Sequence, residues 1–500
     1  MKIRSWLLIT SIVMVIGFSV AACEMGPTGD EININSDDTG SSGDTGAQQD
    51  IPDSDTKENT HSTNHVSTVL LSGDNEYVSV LFDPDSIINV NITISSENRT
   101  WMNANSQKEE YVSGDIEVGG YAVSNIGIRP KGNSTLKAIA SSTSNRYSFK
   151  VKFNEYVKGQ KLLGMKKLIL NSCYQDKTFI KEYMSYYLMK ELGIPTPAFT
   201  FCRLYFNGEY WGLYFMLEDV GESFVERYYG SNIQYAVYKP EPEGNFNSTS
   251  TGGALVYNGN AANYYKTIFD NTVCTSADDD TYWENVIEMT RVLNSGQNMD
   301  SILNTDEIIR YIAAQDYMVN LDSYLGQMYH NYYLIEINGI FQIIPWDYNL
   351  SFAGFSVQSA SNAVNFPIDK PYTGNSAADF PLISKILTGT NLEKYHGYLQ
   401  FLADYSTANF AVVTDKVIAL IDSHINTDPT KFYTYAEFTQ GVSTLKQFVS
   451  DRNKSIYAQL AGTQSSTSYG NITTSVNLSD MGGGGGNQPG GANRPGGGRP

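Results

Sequence analysis

Residues 331–349 read Asn-Tyr-Tyr-Leu-Ile-Glu-Ile-Asn-Gly-Ile-Phe-Gln-Ile-Ile-Pro-Trp-Asp-Tyr-Asn. Asn338-Gly339 separates two runs rich in apolar residues, and Asn-Gly in this position is typical of a tight β-hairpin because both residues tolerate a positive φ. Asn207-Gly208 separates two similar runs, over 200–206 and 209–217. The sequence therefore predicts two hairpins, with strands over 331–337 and 340–344 in the later one.

Elsewhere the apolar residues follow either a strand or a helix period. Alternation predicts strands over 77–82 and 88–94, whereas the spacing over 176–193 predicts a helix with Asp176 as N-cap and Gly193 as its stop. From residue 380 to about 460 the apolar residues recur at helical spacing. We expect an α+β fold with a sheet-rich N-terminal part, a mixed centre and a helical C-terminal part.

Composition narrows the class of protein. The chain has 500 residues, of which 41% are hydrophobic and 12% aromatic, so it is not disordered throughout. Its formal net charge is −19, with 34 Lys and Arg against 53 Asp and Glu. Nucleic-acid binding relies on clustered basic residues facing phosphates, so we expect no nucleic-acid partner.

The two ends of the chain differ from its middle. Residues 1–22 have a basic start and a short apolar run, as secretory signals do, and Cys23 follows a sequence that resembles the lipobox of bacterial lipoproteins. Residues 23–65 carry ten acids against Lys57 alone and predict a disordered tether, while 466–500 predict a flexible Gly-rich tail. We expect an extracytoplasmic protein anchored to the bacterial membrane by acylated Cys23, with a module over 66–465 divided into lobes at 66–235 and 236–465.

A basic segment interrupts this acidic chain. Residues 146–190 contain ten Lys and Arg against three acids. Lys150 and Lys152 alternate with apolar residues, so they share one face of a predicted strand. The segment favours either an anion site or an ordinary solvated surface. Residues 127–134 resemble a phosphate-binding P-loop, but Asn133 stands where that loop requires Lys.

Two acids and an amide surround the later hairpin. Asp322 and Asn331 precede its first strand and Asp347 follows its second. A hairpin returns its ends to one place, so these side chains are expected to converge into an oxygen site suited to Mg²⁺. Their order also follows that of a protein kinase, although the acids would equally serve as turn caps. His330 is interpreted as a neighbour of the site, without a role in proton transfer.

A series of short segments resembles one family. They are Phe82-Asp83-Pro84-Asp85, Ile128-Arg129-Pro130-Lys131-Gly132-Asn133-Ser134-Thr135, Ser148-Phe149-Lys150-Val151-Lys152-Phe153, Lys167-Leu168-Ile169-Leu170-Asn171, Asn207-Gly208-Glu209-Tyr210-Trp211-Gly212-Leu213-Tyr214, Leu217-Glu218-Asp219-Val220, Tyr238-Lys239-Pro240, His330-Asn331-Tyr332-Tyr333 and Pro345-Trp346-Asp347-Tyr348-Asn349. In this order, over roughly residues 77–355, the chain resembles the spore-coat-protein-H (CotH) kinase-like family.

The resemblance implies an atypical protein-kinase-like fold that uses ATP and Mg²⁺ or Mn²⁺ to phosphorylate Ser or Thr of a surface or coat protein. It implies Asp322 as the catalytic aspartate and Asn331 and Asp347 as metal ligands. The implied ATP-binding residues are Arg129, Lys131, Asn133, Lys150, Lys152, Glu182 and Glu218. Among these, Lys150, with Lys152 as the competing choice, would meet the phosphates, Glu182 would pair with that lysine, and Glu218 would lie at a hinge near adenine.

The chain departs from ordinary kinases in three ways. Nine positions separate Asp322 from Asn331 instead of five, the Gly-rich loop is missing, and Trp-Asp-Tyr replaces Asp-Phe-Gly. Convergence therefore requires residues 323–329 to loop out. Two alternatives stay open: a surface binding or adhesion module that keeps the fold without turnover, and transfer of another part of the nucleotide.

Overall fold

The computed structural model describes residues 76–242, 252–277, 282–374 and 376–483. The predicted signal at 1–22, the acylation site Cys23, the tether at 23–65 and the end of the predicted tail, 484–500, lie outside these residues. All of the described residues belong to one compact unit. The division into two lobes near residue 235 stays a prediction.

Seven strands form a closed barrel in the first half of the chain. They close in the order β1-β2-β3-β4-β5-β7-β6, and all neighbours are antiparallel except β6 and β1. Their bounds are β1 Ile88–Thr93, β2 Val112–Val118, β3 Tyr121–Lys131, β4 Ser148–Lys152, β5 Lys167–Asn171, β6 Phe199–Phe206 and β7 Glu209–Glu218. A closed barrel has no free edge strand.

Side chains alternate between the two faces of this barrel. Pairing of Ile128 with Val151, and of Val151 with Leu168, places one row of buried apolar residues in the barrel core. The other row runs through Arg129, Lys150 and Ile169. Ile169 belongs to the larger core that the barrel shares with the helices. The basic side chains therefore lie on the barrel's outer face.

A second sheet follows the barrel. Four antiparallel strands lie in the order β11-β10-β8-β9, and their bounds are β8 Tyr235–Tyr238, β9 Thr272–Thr275, β10 Tyr332–Ile337 and β11 Ile340–Pro345. The described helices are α1 Glu76–Leu81, α2 Ser96–Ala104, α3 Ser134–Ala140, α4 Lys181–Glu191, α5 Glu222–Tyr229, α6 Lys266–Phe269, α7 Tyr282–Ser295, α8 Thr305–Tyr317, α9 Ala360–Val364, α10 Pro381–Ser384, α11 Thr390–Thr427 and α12 Tyr435–Leu460.

The C-terminal helices form a long antiparallel pair. With 38 residues, α11 extends about 57 Å and packs against both α8 and α12. A capping box begins α12: Thr434 accepts from the backbone of Glu437, whose carboxylate accepts from the backbone of Thr434. The predicted helical C-terminal part is confirmed.

Both predicted hairpins are confirmed. Asn207 and Gly208 have φ values of 52° and 83°, and Asn338 and Gly339 have 49° and 82°, as the tight turn requires. The predicted helix over 176–193 is present but shorter: α4 begins at Lys181, and the Asp176 carboxylate accepts from the backbone N–H groups of Thr178 and Lys181 ahead of it.

Two predictions are wrong in detail. The strand predicted over 77–82 is instead α1, Glu76–Leu81, followed by Phe82, because Tyr77 and Leu81, four positions apart, are both buried on one helical face. The packed module also continues beyond residue 465. Val476, Leu478 and Met481 are buried, and the short 3-10 turn Leu478–Met481 packs against α12. The α+β class is confirmed, whereas a kinase-like arrangement stays a prediction and the closed barrel was not predicted.

Candidate functional site

The candidate site lies where the outer face of the barrel meets the open end of the β10–β11 hairpin. The register of this hairpin pairs Tyr332 with Pro345, so Asn331 and Trp346 stand beside each other at its open end. The Lys131 Nζ, from the end of β3, lies 5.6 Å from the centre of the Trp346 ring. The last residue of β3 and the segment after β11 therefore meet.

Asp322 and Asn331 are joined directly. The Asn331 Nδ2 donates to the backbone oxygen of Asp322 at 2.8 Å and to its Oδ2 at 3.1 Å. Between them the chain makes tight turns, with Gly326 N–H donating to the Ser323 oxygen at 3.1 Å. The loop that the nine-position spacing requires is thus present, and it brings the two predicted residues together.

Asp347, the third predicted residue, acts on Asp322 through its negative charge. Burial raises the pKa of Asp322 well above its ordinary value, and the negative charge of Asp347 raises it further. The register of the hairpin places Asn331, which binds Asp322, beside Trp346, the residue before Asp347, so the two carboxylates lie near the same end of the hairpin. The three residues that the sequence singled out therefore converge.

The backbone at this site is unusual. Asn331 and Asp347 have φ values of 57° and 64°, in the left-handed region that Asn and Asp tolerate better than other residues with a Cβ. A residue held in this region costs about 1–2 kcal/mol. Both predicted metal ligands thus adopt conformations that the surrounding structure has to maintain.

His330 does not neutralise the carboxylates. Its Nε2 lies 3.4 Å from Asp322 Oδ1, but burial and the nearby positive charge of Lys239 lower the pKa of His330 to about 3. The imidazole is therefore neutral at physiological pH and contributes no positive charge to the site. This agrees with the interpretation of His330 as a neighbour of the site.

The donor set fits a hard divalent cation. Among the described residues, no group of three or more His, Cys, Asp or Glu side chains is placed to hold a metal ion. The candidate ligands are instead two carboxylates and an amide, which suit Mg²⁺ because this ion keeps several waters and usually takes only one or two carboxylates. No described residue forms a side-chain hydrogen bond or ion pair with the carboxylate of Asp347. A cation would offset the repulsion between the carboxylates of Asp322 and Asp347.

Glu182, on α4, lies near one of these carboxylates, that of Asp347. Burial and the charge of Asp347 raise the pKa of Glu182 to about 8. Both of its carboxylate oxygens accept from Asn171 Nδ2, at 2.9 and 3.0 Å, and the Oδ1 of Asn171 accepts from Lys131 Nζ at 3.3 Å. An amide from the end of β5 therefore stands between a lysine and the glutamate.

Lys150 has a different partner from the predicted one. Its Nζ lies 2.8 Å from Asp219 Oδ1, and Lys167 Nζ lies 3.4 Å from the other oxygen of the same carboxylate. Burial lowers the pKa of Lys150, although Asp219 opposes this effect. The expected ion pair between Lys150 and Glu182 is absent, because Glu182 is bound by Asn171.

The other predicted cations are also paired, with one exception. Lys152 lies 2.7 Å from Glu155, and Arg129 forms an ion pair with Glu109. Within the described part of the chain Lys131 has no carboxylate partner within ion-pair distance, and its amine faces Asn171 and Trp346. Lys131 is therefore the predicted cation most available to an incoming anion.

Glu218 and Asn133 are the two remaining residues predicted to bind ATP. Glu218 is fully buried and accepts from Tyr77, from the Ala198 backbone at 2.9 Å and from Arg227 at 2.5 Å. Both of its carboxylate oxygens are occupied, so its geometry does not support contact of that carboxylate with adenine. Asn133 stands at the N-cap of α3, just after Lys131, without capping that helix through its side chain.

Sequence reasoning assigned no role to Asn171, Asp219, Lys167 or Trp346. All four stand in the segments that carried the family resemblance, but their residue types alone do not indicate a pairing. The available signal was strand register: once β4 pairs with β5, Lys150 and Lys152 oppose Ile169 and Lys167, and Asn171 continues the same face.

No described helix combines the length and apolar character that a membrane crossing needs.

Part of this chain is similar to known proteins. A family model described as CotH kinase protein matches residues 128–456, about two thirds of the 500 residues. Inner spore coat protein H of Bacillus subtilis (strain 168) is 25% identical over 193 residues, which span 37% of this chain and 50% of that protein. The matched region thus covers half the length of this relative. The extent of the family match shows that the chain belongs to the CotH kinase protein family.

Proposed function

We propose that this protein is a phosphotransferase that moves the γ-phosphate of ATP to a Ser or Thr hydroxyl of a surface or coat protein, with Mg²⁺ or Mn²⁺ as cofactor. The observation that carries the proposal is the convergence of Asp322, Asn331 and Asp347 beside Lys131. A pure binding module has no need for two carboxylates and an amide converging at this position, whereas metal-assisted phosphoryl transfer uses such a set.

Each residue has a part that follows from its chemistry. Asn331 and Asp347 would hold the cation, which when bound supplies positive charge to the phosphate oxygens. Asp322, whose orientation Asn331 maintains, would accept the proton of the acceptor hydroxyl. Lys131 would orient a phosphate through its ammonium, and Glu182 would position Lys131 through the amide of Asn171.

The setting of the reaction is also a proposal. The family and the spore-coat relative support a coat or surface protein as the substrate. Acylation of Cys23 would retain the enzyme at the outer face of the bacterial membrane, where such substrates lie. The acidic segment over 23–65 would then set its distance from the membrane.

The decisive experiment measures phosphate transfer. The purified chain is incubated with ATP labelled at the γ-phosphate, Mg²⁺ or Mn²⁺, and an extract of surface or coat proteins. We expect labelling that Asp322→Asn and Asp347→Asn each reduce by at least about a hundredfold, the scale of a lost catalytic group. Asp415→Asn, on the exposed surface of α11, serves as the matched control and should label as the wild type does.

Equal labelling by all four proteins would contradict the assigned site. Labelling that requires α-labelled instead of γ-labelled ATP would show transfer of another part of the nucleotide.

One observation favours a second function. Asn171 separates Lys131 from Glu182, so the direct lysine–glutamate pair of active kinases is absent. A binding module that holds a nucleotide or a partner without turnover fits this geometry. Saturable ATP binding without labelling of any protein, in the same assay, would support this second function.

A further inference from the structure

An open groove lies behind α4, on the side of that helix away from the candidate site. Its volume is about 560 Å³, within the range of roughly 300–1,000 Å³ that ligand sites occupy. Its wall includes apolar and aromatic side chains of α1, α4 and α11, among them Val78, Tyr183, Tyr187, Val413 and Leu420, and Phe82 just after α1.

The charged groups around this groove are largely paired with each other. Arg227 binds Glu218, and Lys416 Nζ lies 2.5 Å from Asp85 Oδ1 between α11 and the loop after α1. Lys190 and Glu191 are exposed neighbours of opposite sign at its edge. The groove therefore offers an apolar floor and no net excess of either charge, which suits an uncharged aliphatic segment.

The chain itself supplies such a segment shortly before α1 in the sequence. Residues 66–71 read Val-Ser-Thr-Val-Leu-Leu, an uncharged run with four aliphatic residues between the acidic residues 23–65 and α1. Ser72-Gly73-Asp74-Asn75 then favours a turn before α1 begins at Glu76. Leu71 stands seven positions before Val78, a groove residue, and seven extended residues span up to about 25 Å.

We propose that residues 66–71 dock in the groove formed by α1, α4 and α11 of the same chain. The segment ends five positions before α1, so its effective concentration at the groove is on the order of millimolar. A separate partner of equal affinity would need a higher concentration to displace it. Docking would bury the aliphatic side chains of residues 66–71 together with the half-buried side chains of the groove wall, such as Val78, Tyr187, Val413 and Leu420.

Docking would also connect the tether to the candidate site. Tyr183 and Tyr187 face the groove, while their neighbour Glu182 faces Asn171 and Asp347. The same helix therefore has the docked segment on one side and the candidate site on the other. Occupation of the groove would hold α4 in the position in which Glu182 reaches Asn171.

The test uses a photo-crosslinking amino acid in place of Leu70 in the full chain. After irradiation at low concentration we expect crosslinks within one chain, to peptides containing residues 183–191 or 413–420. The same amino acid in place of Ile51, within the acidic tether, is the control and should not react with these peptides. Crosslinks to other regions, or crosslinks only between two chains, would overturn the proposal, the latter by showing that a second copy occupies the groove.

Hydrogen exchange provides a second measurement. Leu70→Asp combined with Leu71→Asp should raise the exchange rates of amides in 183–191 and 413–420 by at least about fivefold, whereas Ile51→Asp should leave them unchanged. Unchanged exchange in the double variant would contradict docking. Neither measurement depends on phosphate transfer, so failure of the proposed function would leave this proposal intact, and the reverse also holds.

Discussion

The Asn331 side-chain amide donates to Asp322 twice, to the backbone oxygen of Asp322 at 2.8 Å and to its carboxylate at 3.1 Å, although nine positions separate the two residues. Residues 323–330 form tight turns that bring the two residues together, and the Asn331 amide then orients the Asp322 carboxylate. A longer spacing than that of ordinary kinases is therefore compatible with one site. The same amide leaves its own oxygen available to a cation.

Replacing Asn331 should separate side-chain chemistry from backbone strain. Asn331→Gly and Asn331→Ala both remove the amide, so both should weaken Mn²⁺ binding by at least about tenfold. Only Ala resists the positive φ of 57°, so it should also lower the free energy of unfolding by about 1 kcal/mol relative to Gly. Mn²⁺ titration and urea unfolding measure the two effects. Unchanged Mn²⁺ affinity in both variants would remove Asn331 from the metal site.

Lys131 and Lys150 should differ in their effect on ATP. Lys131 has no carboxylate partner within ion-pair distance among the described residues, so Lys131→Met should raise the Kd for ATP at least about tenfold, or 1.4 kcal/mol. Lys150 is bound to Asp219, so Lys150→Met should chiefly lower the melting temperature. Nucleotide titration and thermal unfolding compare them. The opposite pattern would restore Lys150 as the phosphate-binding lysine, as first predicted.

Glu307 should make stability depend on pH. It is buried on α8, and this burial raises its pKa to about 8 from 4.5, so the folded protein keeps a proton that the unfolded chain loses in this interval. The contribution of protonated Glu307 to the free energy of unfolding is therefore fully present below pH 4.5 and is lost as pH rises to 8. Glu307→Gln should be more stable than the wild type at pH 8 by about 1–3 kcal/mol, with little difference at pH 4.5.

Urea unfolding at the two pH values measures this effect. Glu393→Gln, at an exposed position of α11, is the matched control and should follow the wild type at both pH values. A constant difference between Glu307→Gln and the wild type would show that Glu307 does not titrate in this range.

Arg146 and Asp428 join the barrel to the end of α11. Both side chains are fully buried, with Nη1 and Oδ2 2.9 Å apart, and Asp428 also accepts from the Leu213 backbone at 2.8 Å. Asp428→Ala leaves a buried guanidinium without its partner and should cost about 3–5 kcal/mol. Arg146→Met combined with Asp428→Leu should be less destabilising than Asp428→Ala, because no unpaired charge remains. Urea unfolding of the three proteins tests this order.

The segment after α12 should belong to the folded unit. Val476, Leu478 and Met481 are buried, and Met481 accepts from the Lys177 backbone at 3.3 Å. A chain ending at residue 475 should therefore unfold at a lower temperature, by several degrees for a loss of about 2–4 kcal/mol. A chain ending at residue 483 keeps these contacts and is the control. Equal melting temperatures for the two would show that the buried contacts contribute little.

Local patterns in the sequence determined much of the fold. Asn-Gly at 207–208 and 338–339 specified both hairpins, because few other dipeptides adopt two positive φ values without strain. Helical spacing specified α11 and α12, and the order of Asp322, Asn331 and Asp347 around a hairpin was sufficient to predict their convergence. Residues 77–82 show the limit of such patterns, since their alternation suits a strand while their burial follows a helix.

Only the tertiary structure decided which side chains meet across the barrel and the helices. The closure of seven strands depends on pairing β6 with β1, which are about 110 positions apart and carry no local signal for it. The partners of Lys131 and Lys150 depend on strand register and on the position of α4, and the Arg146–Asp428 pair spans 282 positions. A residue's type and immediate neighbours determine its backbone preference, but its charge partner depends on distances that exist only after the chain has folded.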